Sequence, residues 1–128
     1  MDTNNRDKII NDKLVELSKL KFRSGFHLRK YMIKYIDEKG MDTIKKHTVD
    51  FIEQKLSSEY PINDGKQTPM KGHPTFIAQH ACACCCRGCL EKWHHIPKGK
   101  KLSRNEKNYI YLLLIKWIEN EYNKNTNQ

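Results

Sequence analysis

The sequence predicts an all-α protein: a small single domain of about five helices, with a Cys/His metal knuckle and a long central loop. Three observations predict it. Apolar residues recur at three- and four-residue spacing along much of the chain, and no stretch alternates convincingly as a strand. The 128 residues allow one domain and little more. Proline and glycine gather in one central segment, which leaves the flanks free to form helices.

The elements follow in order. Residues 5–21 read as a helix, with Ile10, Leu14, Leu17 and Lys21 stacking at spacings of four and three. The segment KFRSGF, containing Gly25, is a break. A second helix over 28–39 aligns Leu28, Tyr31, Met32, Tyr35 and Ile36, and Gly40 is a natural C-terminal stop. Asp42 or Thr43 can cap a third helix over 43–56 that buries Ile44, Phe51, Ile52 and Leu56. From Ser58 to Pro74 the chain holds Pro61, Gly65, Pro69, Gly72 and Pro74, so it is a long loop, of the kind that is often functional. Pro74 suits the first turn of a short helix carrying Phe76, Ile77 and His80. The last helix is the clearest. Ser103 and Glu106 form an S-x-x-E capping box ahead of the stripe Ile110, Leu113, Leu114, Trp117, Ile118 and Tyr122. Residues 1–122 thus form one helical metal-binding domain, and 123–128 are expected to be a disordered tail.

Composition narrows the function classes. The apolar set is 38% of residues and charged residues are 30%, enough for a small core and not for a two-lobed enzyme. A domain this small gains from a metal as added support. No run of 18 apolar residues exists and the N-terminal MDTNNRDK is polar, so neither a membrane span nor a secretory signal is expected, and the expected location is cytoplasmic. The formal charge is +9. From Pro61 to Lys107 nine basic side chains face only Asp64, Glu91 and Glu106. Such a field is the expected footprint of nucleic acid or another phosphate-bearing partner.

All five cysteines, Cys82, Cys84, Cys85, Cys86 and Cys89, fall within eight positions. A disulfide framework spreads its half-cystines along a secreted chain, so this clustering points to metal or redox chemistry instead. Cys86-Arg-Gly-Cys89 is a C-x-x-C with Gly at its turn, a knuckle in which two thiolates reach one cation. With His80 and His94 it gives two sulfurs and two imidazoles, a tetrahedral set for zinc with Zn–S of about 2.3 Å. Arg87 or Lys92 would help keep the thiols ionised. The register stays open: Cys82 to Cys85 is a second C-x-x-C, Cys85 can replace Cys86, and His73 can replace His80. Zinc is the expected ion; an iron–sulfur cluster, redox thiols and inert buried cysteines are the alternatives.

Other residues have plainer readings. His47 is expected to pack near Phe51, His27 to lie at the surface, and Trp93 and Trp117 to pack between helices. Lys21, Phe22, Arg23, Phe26, Arg29, Lys30 and Tyr31 interleave cations with aromatics, the pattern of a phosphate-and-stacking surface or of a solvated basic helix face. Asp64-Gly65-Lys66-Gln67-Thr68 lacks the first Gly of a phosphate loop and a preceding strand, which excludes a nucleotide-triphosphatase reading.

The stretches NDGKQTP, GHP, FIAQHA, CCRGCL, KWH and IPKG, within residues 63–99, together with KFRSGFHL and GMDTIKKHTVDFIEQKL, resemble a bacterial family of domains of unknown function, the one numbered 4186. The resemblance spans residues 14–120. It implies membership without implying an activity. It also implies that Cys82 and Cys84 are dispensable as cysteines, which leaves His80, Cys85, Cys86, Cys89 and His94 as the metal-ligating candidates. Separately, Trp93-His94-His95-Ile96-Pro97 is similar to the H-H-I-x-P segment of His-Asn-His endonucleases, with Asn105 or Asn108 standing in for the Asn. The C-x-x-C lies too close before His94, however, and a long helix follows where that family has a ββα arrangement.

Three functions are therefore expected in order. The first is a zinc-binding module meeting nucleic acid through Lys66, Lys71, Arg87, Lys92, Lys98, Lys100, Lys101 and Arg104. The second is a metal-dependent nuclease or other hydrolase, in which a three-ligand metal activates water with His73, His80 or His95 as base. The third is an inhibitor or adaptor with a structural metal and a protein partner.

Overall fold

A computed structural model describes residues 3–126 and shows seven helices, with no strand among the described residues. They are α1 (Thr3–Ser18), α2 (Lys21–Ser24), α3 (Lys30–Lys39), α4 (Met41–Lys55), α5 (Pro74–Ala81), α6 (Arg87–His94) and α7 (Arg104–Thr126). Helix α7, 23 residues long, is the central post. Helices α1, α4 and α5 pack directly on it, α3 leans on α4, and α2 bridges α1 and α5.

The predicted elements form where the apolar spacing places them. Helix α7 starts on its capping box: Glu106 N–H donates to Ser103 Oγ at 3.1 Å, and Ser103 N–H donates to Glu106 Oε1 at 2.8 Å. Its inward face contributes Ile110, Leu113, Leu114, Ile115 and Ile118, which meet Ile10 and Leu17 of α1, Ile44 and Ile52 of α4, and Ile77 and Ala78 of α5. Gly40 is at once the C-cap of α3 and the N-cap of α4; at φ +87 it turns the chain with no loop between the two helices. That direct turn removes the need for the cap expected at Asp42 or Thr43. The chain between α4 and α5 has no helix and is a long loop, mostly exposed but with Gln67, Thr68 and His73 buried.

Three features differ from the sequence reading. KFRSGF is not only a break, because Lys21–Ser24 closes one helical turn. C-R-G-C is not a knuckle turn: Cys86 is the N-cap of α6, and Gly88 and Cys89 lie inside that helix. The tail expected to begin at 123 instead continues α7 to Thr126, where Asn125 Nδ2 donates to Glu121 O and Thr126 Oγ1 donates to Tyr122 O, securing the last turn. Residues 127 and 128 lie outside the described residues. Among the described residues no helix is long and apolar enough to cross a membrane.

Candidate metal centre

The cysteines occupy the link between α5 and α6. Helix α5 ends in a Schellman turn: Cys84 N–H reaches Gln79 O at 2.8 Å and Ala83 N–H reaches His80 O, with Ala83 at φ +57 in the position that glycine usually fills. The chain then runs through Cys85 to Cys86, whose Sγ accepts the Cys89 N–H at 3.3 Å and so caps α6. Asp64 Oδ1 accepts the Arg87 N–H at 3.2 Å, adding a carboxylate at the same helix start.

These two turns bring three sulfurs together. The Sγ atoms of Cys85, Cys86 and Cys89 all lie within 4.8 Å of one another, the separation at which one cation can touch all three, and Cys85 and Cys89 approach to 3.6 Å. Beside them sits Arg23 from α2. Its Nη2 donates to Cys89 Sγ at 3.3 Å and its Nη1 to Cys85 Sγ at 3.7 Å, while Nη1 is also held by His80 O at 2.7 Å. The Cys85 thiol lies above its ordinary value, chiefly through its hydrogen-bonded neighbour Cys86 and also through burial, with Cys89 and Arg23 pulling the other way.

The motif residues of the long loop turn out to support this link. Thr68 Oγ1 donates to Cys85 O at 2.7 Å, and Gln79 Nε2 donates to Cys84 O at 3.2 Å. Gln67 Oε1 accepts from Gly65 N–H, and its amide donates to Asp64 and to Lys55 O. Arg87 is the largest fully buried side chain, 1% exposed, and its guanidinium donates to four carbonyls: Leu56, Ser58, Pro97 and Lys100. It therefore draws the loops before α5 and after α6 onto the start of α6. This corrects the expectation that Arg87 meets phosphates, because its Nη donors are taken by carbonyls inside the fold and the whole side chain is buried.

The two expected imidazole ligands are not brought into the sulfur group. His80 Nε2 donates to Thr68 O and Pro69 O at 3.1 Å each and stacks on Phe26, so its ring braces the loop; burial holds it below its ordinary value. His94 Nε2 donates to Cys82 O at 2.8 Å and Nδ1 faces the Tyr109 hydroxyl at 2.8 Å. Burial lowers His94 to about 4. Cys82 and Cys84 are fully buried, and desolvation raises both thiols well above their ordinary range. His73, the alternative to His80, caps α5 instead. Its Nδ1 accepts the Thr75 N–H, so Nε2 carries the hydrogen and donates to His47 Nδ1 at 3.0 Å. Burial among Tyr35, Phe51 and Phe76 lowers it to about 4. His95 is exposed at the left-handed C-cap of α6.

Arg23 is the site residue that the sequence reading missed as such. Its signal was a cation between two aromatics in KFRSGF, which equally describes a surface.

The remaining cations, Lys66, Lys71, Lys92, Lys98, Lys100, Lys101 and Arg104, are all exposed. Lys98 lies over Gly88, where a side-chain carbon would come within 3.6 Å of its Nζ and 3.8 Å of Cys86 Sγ. Tyr60 and Ile62, 77% and 86% exposed, stand in the same loop as Lys66.

The family described as a domain of unknown function (DUF4186) matches residues 11–119. No solved structure matches the chain.

Proposed function

From the premise that the chain belongs to the DUF4186 family, whose description assigns no activity, we propose that the protein is a small metal-binding module in which Cys85, Cys86 and Cys89 hold zinc and a basic face engages nucleic acid. The convergence of three sulfurs on one point carries the reading. The donor set suits a thiophilic divalent ion, since thiolate sulfur is the preferred ligand of zinc in structural sites. Charge supports it too. Three thiolates and a divalent ion leave one negative charge, and the Arg23 guanidinium beside Cys85 and Cys89 offsets it. Bound there, the ion would tie the end of the α5–α6 link to the first turn of α6.

The nucleic-acid half rests on placement. Arg87 gathers the segments that carry Lys98, Lys100 and Lys101, and Asp64 brings the neighbouring Lys66 to the start of α6. These lysines are exposed, and exposed Tyr60 offers a ring for base stacking beside them.

Cadmium titration followed by sulfur-to-metal absorption tests the first half. We expect one ion per chain, lost in Cys86→Ser and kept in Cys82→Ser; absence of binding, or binding indifferent to Cys86, overturns it. Fluorescence anisotropy on short DNA and RNA duplexes tests the second. Affinity should fall steeply with salt, and replacing Lys98, Lys100 and Lys101 by Ala should reduce the log–log slope by about 3. No binding at low salt refutes a nucleic-acid partner.

A further inference from the structure

The same sulfurs also meet the requirements of a redox pair in the metal-free protein. We propose that Cys85 and Cys89 form a reversible dithiol–disulfide site oxidised by hydroperoxides, with Cys89 as the nucleophile and Cys85 as the resolving thiol. The inference does not depend on the cluster's taking a metal.

Geometry selects the pair. Cys85 and Cys89 Sγ are 3.6 Å apart and both residues are half-buried, so an oxidant can reach them. Closing to the disulfide length of about 2.05 Å needs a shift of roughly 1.5 Å. That shift is available because Cys85 lies outside both helices, between the end of α5 and the start of α6. Cys82 and Cys84 are sealed in the core, and Cys86 is buried with its sulfur committed to capping α6.

Hydrogen bonding selects the order of events. Cys89 Sγ accepts from two donors, Arg23 Nη2 at 3.3 Å and the Cys85 thiol, which hold it in place on α6, whereas Cys85 sits on the movable link between α5 and α6 and can swing onto it. The Cys89 sulfur attacks one oxygen of the hydroperoxide; the O–O bond breaks, the sulfur becomes a sulfenic acid, and the departing oxygen takes up the thiol proton as water or alcohol. Cys85 sulfur then attacks Cys89 sulfur, the S–O bond breaks, and the hydroxyl leaves with the Cys85 proton as water. Two thiols have lost two electrons and two protons, and one hydroperoxide has been reduced. Arg23, fixed by His80 O, stays within reach of both sulfurs and serves as the positioning residue.

The chain supplies its own readout. Trypsin cuts after Arg87, which separates Cys85 from Cys89 and places Cys89 on the peptide 88–92. Full-length protein freed of metal with EDTA is treated with hydrogen peroxide, blocked with N-ethylmaleimide and digested. We expect the peptide ending at Arg87 to be linked to peptide 88–92, two hydrogens lighter than the sum and separable by dithiothreitol. Cys86→Ser should keep the link. Cys85→Ser should lose it and leave Cys89 as a sulfenic acid that dimedone labels. Arg23→Met, with its circular dichroism unchanged, should slow linking several-fold, because no guanidinium then holds the two sulfurs in place. A link that survives Cys85→Ser and vanishes in Cys86→Ser, or no link at all, overturns the proposal. Cadmium binding without linking refutes the redox pair alone, and linking without cadmium binding refutes the metal reading alone.

Discussion

Replacing Arg87 by Met tests whether a single side chain holds the loops around the α6 start. The guanidinium donates to four backbone carbonyls, at 3.2 Å to Leu56, 2.6 Å to Ser58, and 2.8 Å to both Pro97 and Lys100. Bonds from a charged donor contribute about 1.5–3 kcal/mol each, which gives a gross loss of roughly 6–12 kcal/mol. Most of that is recovered. Ser58, Pro97 and Lys100 are exposed residues whose carbonyls can turn to water, and Met no longer carries the cost of desolvating a cation. Leu56 is fully buried, so its carbonyl is the one that stays stranded, at about 1–3 kcal/mol. The net expectation is a loss of about 3 kcal/mol, or roughly 10 °C in Tm for a domain of this size. Arg87→Lys, which replaces a planar fork by a single ammonium, should fall between the two. Urea unfolding followed by circular dichroism reads the difference. A loss under about 1 kcal/mol for Arg87→Met would refute the claim that this guanidinium ties the loops. A change of about one in the salt slope of nucleic-acid binding, with stability unchanged, would return Arg87 to the phosphate-contacting role that the sequence suggested.

Two further outcomes follow from the site. His73 is lowered from its ordinary value to about 4 by burial, so below pH 6.5 the unfolded chain takes up a proton that the folded state refuses; stability is full above pH 6.5 and is lost as pH falls from there toward 4; unfolding midpoints measured at pH 7 and pH 5 should drop toward acid. His73→Gln, which keeps an acceptor for the Thr75 N–H, should remove part of that drop while His94, also near 4, retains the rest; an unchanged pH profile would refute a role for His73. Gly88 lies inside α6, and a side-chain carbon there meets Lys98 Cε at 3.5 Å and Cys86 Sγ at 3.8 Å, both ordinary contacts. Gly88→Ala should therefore leave cadmium affinity intact and raise stability by up to about 1 kcal/mol. A tenfold weaker site would reinstate the knuckle turn.

The helices were legible because burial and periodicity are local properties. The stripe on α7 and the Ser103–Glu106 box need no knowledge of the rest of the chain, and both stand as read. Helix α6 was missed because C-R-G-C in isolation fits a glycine turn as well as a helix start. What decides between them is distant: Asp64 bonding the Arg87 amide, and Arg87 itself drawn inward by carbonyls up to 31 residues away. The sulfur group was legible in composition and not in ligand register, for the same reason. His80 and His94 have suitable spacing, but each ring is claimed by partners from elsewhere, Thr68 and Pro69 for one, Cys82 and Tyr109 for the other. Spacing counts the donors that a segment offers; it does not count the acceptors waiting for them in the fold. Arg23 is the converse case, 62 and 66 residues from the sulfurs it touches, and only the packing of α2 against α5 puts it there. A basic residue at the thiols is thus part of the tertiary structure, and the chemistry of the cysteine segment depends on a helix that its own sequence does not contain.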